Sequence, residues 1–491
     1  YQQRAQFYKN LFDPATGFMR PKNSDHSWVE PFDPAEGSEH FVEGNSYQYS
    51  LFAPHDVNGL IDLLGGNDKF IKWLDLLFTY QSEHDAGVKD ASGLMGQYAH
   101  GNEPSHHMAY LYNYAGAAPK TQKIIREILH TMYDDTPGGL EGNEDCGQMS
   151  AWYILNAMGF YPVNPGDANY IIGTPLFDRV TVHLENGKKF VIKANHLSDK
   201  NIYIQSATLN GLPYTKSWFT HGEITSGSEL VFEMGPAPNY NWGASGEDRP
   251  VTMEFRPAVA MPYILQKDPD FLDSIEISLD CETEEALIYY TLDGSEPTER
   301  SQAYTAPFLL KNSSLLKFIA TKEGLLTSLT VAEKLNQLEF EEFHNYEGTT
   351  MAQGLEYRYY ENNVMFVGEL LPLKPIETGT ISHFSIEDRK TDMYFGYVYN
   401  GFIRIPEDGA YTFYNKTNDG SILYLDGEEF INMDGGHPAH EVYKTIALKK
   451  GVYKIDQIYF QMGGGFMNKV SWKGPGFEKT EIPASVLFHE K

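Results

Sequence analysis

Apolar residues in the first third of the chain recur at the three- and four-residue spacing of amphipathic helices. One such stripe ends at the turn Gly65-Gly66-Asn67, which is a typical helix stop, and consists of Val57, Leu60, Ile61 and Leu64. Two further stripes are Phe70, Trp73, Leu74, Leu77 and Phe78, and then Ile124, Ile125, Ile128 and Leu129. A helix is also predicted at the start of the chain from Phe7, Tyr8 and Leu11. Paired amphipathic helices joined by long polar loops predict an (α/α) toroid over residues 1–165.

The period of the apolar pattern changes to two from about Tyr170 onward. Alternating stretches lie at residues 180–184, 190–192, 202–204 and 230–234, with hairpin-type turns at Glu185-Asn186-Gly187-Lys188 and Asn210-Gly211. We therefore expect a small antiparallel β subdomain over residues 166–250 that closes the helical module. A Gly- and Pro-rich run at 235–243 marks the boundary after it.

Alternation continues to the end of the chain. Residues 256–335 contain short stretches of it, and residues 345–491 contain longer ones, such as Gly401-Phe402-Ile403-Arg404-Ile405. This pattern predicts two further all-β domains of the sandwich type. The expected fold class is multidomain, with a toroid portion and a small β subdomain followed by two all-β sandwich domains.

Three polar turns, each with a glycine, an asparagine and at least one carboxylate, precede apolar helical patterns. They are Val42-Glu43-Gly44-Asn45-Ser46, Gly101-Asn102-Glu103-Pro104-Ser105 and Gly142-Asn143-Glu144-Asp145-Cys146. A helix N-terminus leaves backbone N–H groups unpaired and favours anionic groups beside it. If the helices present these turns to one end of a bundle, that end collects Glu43, Glu103 and Asp145. A simpler alternative is that Asn143 and Asp145 only cap their helix.

The charge balance excludes some classes of partner. Acidic residues outnumber basic ones by 67 to 38, and the formal net charge is −29. Such a chain repels phosphate backbones, so we expect no nucleic-acid partner. No apolar run approaches the roughly 20 residues of a membrane-spanning helix. The two cysteines, Cys146 and Cys281, fall in different predicted domains, so no structural disulfide is expected.

The three turns resemble those of glycoside hydrolase family 92, the calcium-dependent exo-acting α-mannosidases. The resemblance also includes Gly17-Phe18-Met19-Arg20 and Glu30-Pro31-Phe32-Asp33-Pro34, and it extends to about Trp242-Gly243. It implies that residues 1–165 are the second half of a catalytic toroid. Family members carry an N-terminal β-sandwich and more helices before this point, so the site is expected to need that further segment.

The resemblance assigns the two carboxylates that inverting glycoside hydrolysis requires. One acid protonates the departing oxygen and one base activates water on the opposite face of the sugar, with the carboxyl groups roughly 6.5–9.5 Å apart. Glu43 is the expected acid and Asp145 the expected base. Asn143 stands where the family can carry a second acid, which puts a helper carboxylate in doubt.

Glu43 must carry a proton to act as the acid. The rings of Tyr47, Tyr49 and Phe52 are expected to offer apolar surroundings that favour the protonated form. Asp56 is the rival acid, although a helix-capping role suits it better.

The resemblance also implies Ca²⁺ as the cofactor. The ion would hold the 2- and 3-hydroxyls of mannose and steady a distorted ring, which requires hard oxygen ligands. The expected ligands are Glu103 and Asp145.

Four further residues are expected to contact the sugar, namely Gln48, Asn102, His106 and His107. The two histidines suit hydrogen bonds to hydroxyl groups better than they suit Ca²⁺. Zinc is an alternative for this adjacent pair, although zinc histidines normally lie further apart in sequence. A structural alternative is a helix start with one buried and one exposed imidazole.

The two C-terminal β domains resemble accessory modules. Tyr290-Thr291-Leu292-Asp293-Gly294-Ser295 resembles the immunoglobulin-like C-terminal domain of chitobiases, and residues 345–491 resemble a PA14 domain. In sugar-binding PA14 domains a pair of adjacent aspartates holds Ca²⁺. The corresponding pair here is Asn418-Asp419, and the loss of one carboxylate weakens a hard-cation site.

The expected function is that of an exo-acting, inverting, Ca²⁺-dependent α-mannosidase, acting on α-1,2-linked mannose. Its partners would be mannose-containing glycans of the N-glycan or yeast mannan type. Its expected setting is secreted, periplasmic or at a bacterial cell surface. The rivals are a non-catalytic glycan-binding or adhesion protein and a glucosidase on a similar toroid.

Overall fold

The structure, a computed structural model, describes residues 1–23, 26–37, 40–82, 92–266 and 268–491. The chain forms two compact units. The first comprises Tyr1–Met261, Cys281–Ala286 and Ala320–Leu329, and the second comprises Pro262–Asp280, Leu287–Ile319 and Thr330–Lys491. Parts of residues 256–335 thus belong to each unit, and the boundaries of the four predicted domains stay a prediction.

Helices dominate the N-terminal part of the first unit, as the apolar stripes predict. The α-helices are α1 (Ser46–Tyr49), α2 (Val57–Leu63), α3 (Asn67–Thr79), α4 (Leu111–Tyr114), α5 (Ala118–Thr131) and α6 (Gln148–Met158). Short 3-10 helices span Arg4–Leu11, Glu103–Ser105 and Met108–Tyr110, and short strands are β1 (Phe12–Asp13), β2 (Phe18–Met19), β3 (Leu94–Met95) and β4 (Tyr98–Ala99). The helix predicted at the start is therefore of the 3-10 type.

The apolar stripes are buried in one common core. Phe70, Leu74 and Leu77 of α3 and Ile125 and Ile128 of α5 are all 0 % exposed and belong to the same cluster. Complete burial of an aliphatic or phenyl side chain stabilises a fold by about 1.5–3 kcal/mol. Tyr47 of α1 and Trp152 of α6 belong to the same cluster, so this core also fixes two helices whose preceding turns carry candidate residues.

The β subdomain of the first unit differs from the prediction in one strand pairing. Its elements are β5 (Phe160–Tyr161), β6 (Asn169–Ile172), β7 (Arg179–His183), β8 (Lys189–Asn195), β9 (Tyr203–Leu209), β10 (Leu212–Pro213), β11 (Trp218–Thr220), α7 (His221–Thr225) and β12 (Glu229–Gly235). The five-stranded sheet has the order β10-β9-β12-β8-β7, and β12 runs parallel to β8. A purely antiparallel sheet is therefore wrong, because the chain makes the β9–β10 hairpin, β11 and α7 before β12 enters between β8 and β9.

The chitobiase-like stretch forms short strands. They are β13 (Tyr263–Ile264), β14 (Asp270–Phe271), β15 (Ile275–Ile277), β16 (Leu279–Asp280), β17 (Leu287–Thr291), β18 (Gln302–Ala303), β19 (Phe308–Leu310), β20 (Ser314–Thr321) and β21 (Val331–Gln337). The main sheet has the order β14-β21-β20-β17-β18. The turn at Asp293-Gly294 is closed by the Asp293 side chain, which accepts from the Ser295 backbone N–H at 3.0 Å.

The C-terminal part of the second unit is a β-sandwich, as predicted. Its strands are β22 (Met351–Gln353), β23 (Leu355–Glu361), β24 (Glu377–Ile381), β25 (Phe395–Ile405), β26 (Gly409–Thr417), β27 (Ser421–Leu425), β28 (Glu428–Met433), β29 (His440–Leu448), β30 (Gly451–Gln461), β31 (Asn468–Gly474), β32 (Phe477–Glu481) and β33 (Leu487–Glu490). The larger sheet follows the order β22-β33-β25-β30-β27-β28, with β23 and β24 beside β25, and the smaller sheet follows β29-β26-β31-β32. Tyr397, Tyr411 and Tyr459 are almost completely buried in the core of this sandwich.

The two cysteines and the lengths of the apolar helices bear on the remaining expectations from the sequence. Cys146 and Cys281 form no disulfide with each other: Cys146 is exposed, and the half-buried Cys281 donates through its thiol to the Ala260 carbonyl at 3.3 Å. Within the described ranges, no helix combines the length and the apolar character that crossing a bilayer requires.

Candidate active site

The first candidate turn is held by the capping of α1. The Asn45 side chain accepts from the Gln48 backbone N–H at 3.3 Å, and Gln48 Oε1 accepts from the Asn45 backbone N–H at 2.9 Å. This reciprocal pair satisfies two backbone donors at the helix start. A Cβ at Gly44 would lie 2.7 Å from Gln48 Oε1, so the returning glutamine requires a glycine there. Glu43 precedes this cap and is exposed, with a left-handed φ of 56°.

The second turn is tied directly to the first. Asn102 Nδ2 donates to the carbonyl oxygen of Glu43 at 2.9 Å. Gln97, which lies just before this turn, accepts from Asn45 Nδ2 through its Oε1 at 2.9 Å, and its carbonyl accepts from Gln48 Nε2 at 2.9 Å. The first turn is therefore held by residues that come 49 to 59 positions later in the chain.

The third turn lies against the second through two glycines. A Cβ at Gly142 would lie only 2.8 Å from the carbonyl oxygen of Gly101, and Gly142 has a φ of 72°. No other residue type permits this approach without displacing backbone. The turns that carry Glu43, Glu103 and Asp145 are thus joined in series, and the gathering of the three carboxylates into one site stays a prediction.

The capping of α6 falls to a residue that the sequence argument did not select. Glu144 accepts from the Ser150 backbone N–H at 3.3 Å and from the Ser150 hydroxyl at 3.0 Å. Asn143 and Asp145 are both exposed, and no hydrogen bond from α6 to either side chain occurs in the described part of the chain. Asp145 instead has a left-handed φ of 48°, followed by Cys146 at 57°. The interpretation of Asn143 and Asp145 as caps is therefore wrong.

The two adjacent histidines are buried rather than open to a ligand. His106 is 2 % and His107 is 5 % exposed. His106 Nε2 donates to the His100 carbonyl at 2.9 Å, while its Nδ1 accepts from Gln148 Nε2 at 3.1 Å. His107 Nε2 donates to the Leu51 carbonyl at 2.9 Å. The expectation that one imidazole is exposed is wrong. Both ring nitrogens of His106 and Nε2 of His107 are engaged by protein groups, which disfavours the expected contacts with sugar hydroxyls and the zinc alternative.

Burial keeps these imidazoles neutral. It lowers the pKa of His106 and of His107 to about 4 each, and it lowers the pKa of His100 to about 3, with the nearby His106 contributing. A neutral imidazole has one donor and one acceptor, which matches the pair of bonds made by His106. These residues support the second turn from the interior.

The surroundings of Glu43 differ from the predicted aromatic pocket. Tyr47 is 3 % exposed and packs in the core against Phe18. Phe52 is 52 % exposed and lies edge-on to His107. Tyr49 is the predicted ring that lies near Glu43. Burial, and then the charge of Glu43, raise the pKa of Tyr49. Glu43 is therefore beside one ring and in contact with solvent.

The rival acid Asp56 is a helix cap, as the simpler interpretation predicts. Its Oδ1 accepts from the Gly59 backbone N–H at 3.0 Å, and its Oδ2 accepts from the Tyr8 hydroxyl at 2.8 Å. Lys9 Nζ lies 3.2 Å from Oδ2. Asp56 is 4 % exposed, so these bonds enclose its carboxylate within the protein.

Gln48 and Asn102, two of the predicted sugar contacts, are both buried. Gln48 is 4 % exposed, and both ends of its amide bond within the first turn and to Gln97. Asn102 is 8 % exposed and its Nδ2 donates to Glu43. Gln48 is therefore a structural residue of the first turn, whereas the side chain of Asn102 joins the second turn to the first.

Sequence reasoning missed the support beneath the second turn. Tyr98 and Tyr133 bond to the two ring nitrogens of His100 at 2.8 and 2.7 Å, and Trp152 Nε1 donates to the His106 carbonyl at 3.0 Å. The signal available was the mixed aromatic and polar stretch Gln97-Tyr98-Ala99-His100, which directly precedes the glycine of the turn.

The side chains available as metal ligands around the turns are of the oxygen type that Ca²⁺ prefers. Glu103 and Asp145 offer carboxylate oxygens, and the imidazoles beneath them are engaged by protein groups. Among the described residues, no group of three or more His, Cys, Asp or Glu side chains is arranged to hold a metal. Calcium takes six to eight oxygen ligands, so carbonyl oxygens and water would have to complete a site built on these two residues.

Three family models match successive parts of the chain. The family model of the glycosyl hydrolase family 92 catalytic domain matches residues 1–236. The model of the chitobiase/β-hexosaminidase C-terminal domain matches residues 268–332, and the PA14 domain model matches residues 351–485.

Individual relatives each match about half of the chain. An uncharacterized secreted glycosidase of Arthroderma benhamiae is 30 % identical over 280 residues, which is 52 % of this chain and 34 % of the relative. A family GH92 α-mannosidase of Bacteroides thetaiotaomicron, solved with mannoimidazole, is 42 % identical with a TM-score of 0.48 and covers 50 % of this chain and 34 % of that one.

A family GH92 inverting mannosidase of the same organism is 40 % identical with a TM-score of 0.45, over 50 % of this chain and 34 % of that one. The chain thus spans about a third of the length of each of these relatives. Residues 1–236 thus match the catalytic domain of glycosyl hydrolase family 92, and the residues after them match a chitobiase/β-hexosaminidase C-terminal domain and a PA14 domain.

Proposed function

We propose that this protein is an exo-acting, inverting α-mannosidase that depends on Ca²⁺ and removes α-1,2-linked mannose from glycans. The observation that carries the proposal is the arrangement of two carboxylates. Glu43 and Asp145 are both exposed, and both are held in left-handed backbone on turns that Asn102 and Gly101 connect. Non-glycine residues adopt this conformation at a cost, and such strain concentrates at functional sites.

In the proposed reaction Glu43 is the general acid and Asp145 the general base. The carboxyl proton of Glu43 passes to the glycosidic oxygen as the bond from that oxygen to the anomeric carbon breaks. A water oxygen bonds to the opposite face of that carbon, and Asp145 takes the water proton. The products are β-mannose and a shortened glycan. Asn143, exposed beside Asp145, would orient the water rather than titrate.

Glu103 and Asp145 would hold the calcium ion. When bound, the ion supplies positive charge that polarises sugar hydroxyls and favours a distorted ring. Asn102 is the remaining candidate for a direct sugar contact, since Gln48, His106 and His107 are engaged within the protein.

A cavity of about 270 Å³ next to the first turn suits the departing sugar. Its aromatic lining consists of Tyr8, Phe41, Tyr49 and Phe52. Aromatic faces stack on the apolar faces of sugars, and the departing oxygen has to lie beside the acid. Burial, and then the charge of Glu43, raise the pKa of Tyr49 in this lining, so the cavity supports Glu43 as the proton donor.

The proposed substrates are mannose-terminated glycans of the N-glycan or yeast mannan type. The proposed setting is outside the cytoplasm, in secreted, periplasmic or bacterial surface-bound form. The A. benhamiae relative is named a secreted glycosidase, and the net charge of −29 suits neutral sugar ligands.

The test is release of mannose from α-1,2-mannobiose, followed by NMR so that the anomer first formed is identified. Chelator-sensitive release of β-mannose is expected, with a loss of at least a hundredfold in kcat for Glu43→Gln and for Asp145→Asn. Retained α-configuration would overturn the acid and base assignment. If the folded protein cleaves glucosides in preference, or binds mannan without any turnover in the presence of Ca²⁺, the glucosidase or the glycan-binding alternative is correct.

A further inference from the structure

A cage of oxygen atoms lies between two loops of the PA14 domain. Asp419 follows β26 and is 5 % exposed, and Gln461 is the last residue of β30 and is 1 % exposed. Gln461 Nε2 lies 2.8 Å from Asp419 Oδ2, 2.9 Å from the Gly463 carbonyl oxygen and 2.8 Å from the Gly465 carbonyl oxygen. The amide nitrogen is thus at the centre of the cage.

The cage contains more acceptors than an amide can serve. An NH₂ group has two hydrogens, but four oxygens surround this one, because Asn418 Oδ1 also lies 2.8 Å from Gln461 Nε2. A surplus of oxygens that includes a carboxylate is the environment that hard cations select. Ca²⁺–oxygen distances are about 2.3–2.6 Å. The distances of 2.8–2.9 Å from Gln461 Nε2 to the surrounding oxygens are instead those of N–H···O hydrogen bonds.

The orientation of Gln461 is fixed from the opposite side. The Tyr459 hydroxyl donates to Gln461 Oε1 at 2.7 Å. Burial, and then the charge of Asp419, raise the pKa of Tyr459, so this hydroxyl keeps its proton and remains a donor. The oxygen of the amide therefore faces Tyr459, and its nitrogen has to face the cage.

The Ca²⁺ site that the PA14 resemblance implies does not fit this chain, because the centre of the oxygen cage is filled by protein. We propose that Gln461 replaces the cation with its own side chain and joins the loop at Asn418-Asp419 to the loop at 463–465 without a metal. Asp419 Oδ2 also accepts from the Met462 backbone N–H at 2.8 Å, which strengthens the same junction. The PA14 domain of this protein is accordingly independent of calcium.

Two variants of the full chain test the proposal by the number of Ca²⁺ ions bound, measured by equilibrium dialysis. Gln461→Ala empties the centre of the cage and is expected to bind one Ca²⁺ per chain more than the wild type. Terbium luminescence should rise with it, because Tyr459 is adjacent. Gln457→Ala is the matched control: it removes another buried glutamine of β30, whose amide bonds to Asn415, Ser421 and Asn468, and no additional ion is expected.

Asp419→Asn, made in the otherwise wild-type chain, keeps the test independent of whether Gln461→Ala folds. It should bind as many Ca²⁺ ions as the wild type, since the proposal places none at Asp419. Loss of one ion in Asp419→Asn would show that Gln461 rotates away and admits calcium, which overturns the proposal. A folded Gln461→Ala protein that binds no extra ion would overturn it as well.

Discussion

The side-chain amide of Asn102 donates to the main-chain carbonyl of Glu43 at 2.9 Å. One hydrogen bond thereby connects the turn of the proposed acid to the turn of the proposed calcium ligand Glu103. It also holds Glu43 in a backbone conformation, with φ of 56°, that an L-residue rarely adopts. Asn102 is therefore both a candidate sugar contact and a positioning residue for the acid.

Replacement of Asn102 separates these two roles. In Asn102→Ala the carbonyl of Glu43 loses its donor, and we expect kcat to fall by about ten- to a hundredfold because misplaced catalytic groups lose such factors. If Asn102 also binds the sugar, KM rises as well. Steady-state kinetics on α-1,2-mannobiose distinguish the cases. Asn113→Ala is a matched control, since its buried amide donates to Ile172 and Ser217 in the same unit and its loss should leave kcat unchanged.

Glu144 and Asp145 should show opposite effects although they are neighbours. Glu144→Ala removes the cap of α6 and should lower the free energy of unfolding by about 1 kcal/mol, with kcat reduced less than tenfold. Asp145→Ala should leave stability nearly unchanged and abolish turnover. Urea unfolding and mannose release on both variants provide the comparison. A stable, inactive Glu144→Ala protein together with an active Asp145→Ala protein would assign the base to Glu144.

Stability should fall as the pH falls from about 6.5 to about 4. The pKa values of His106 and His107 are lowered to about 4, and that of His100 to about 3, whereas an unfolded histidine titrates near 6.5. Between these values the unfolded chain binds more protons, so each buried imidazole reduces the stability by about 1.4 kcal/mol per pH unit of acidification. The measurement is denaturant unfolding across this range.

Variants isolate the contribution of the buried imidazoles from that of the many carboxylates. His107→Gln should reduce the slope of stability against pH between 4 and 6.5. His196→Gln is the control, because the side chain of His196 is 75 % exposed and should not alter the slope. An unchanged slope in His107→Gln would contradict the assignment of a buried neutral imidazole.

Asp56→Ala tests the rival acid. The substitution removes the cap of α2 and leaves the Tyr8 hydroxyl and Lys9 without their partner, so we expect a loss of about 2 kcal/mol or more in the free energy of unfolding. Protein that remains folded should keep a kcat within a factor of three of the wild type. Abolished turnover in fully folded Asp56→Ala, with Glu43→Gln still active, would make Asp56 the acid.

Local patterns in the sequence determined much of the fold. The stripes that became α2, α3 and α5, the strand alternation after Tyr170, and the cap at Asp56 all depend on residues a few positions apart. The turn at Asn210-Gly211 is equally local, with both residues at positive φ. Such features are predictable because one segment contains both partners of each interaction.

Tertiary structure decided what the polar residues do. His106 and His107 are buried because a carbonyl from another segment faces each ring, and β12 runs parallel to β8 because other elements intervene in the chain. Gln461 meets Asp419 from 42 positions away along the chain. A sequence displays which residues can donate, accept or titrate, but the partner of each is set by how distant segments pack. Packing thus left Glu43 and Asp145 exposed on two turns that both contact the turn of Gly101 and Asn102, and it enclosed the histidines in the interior.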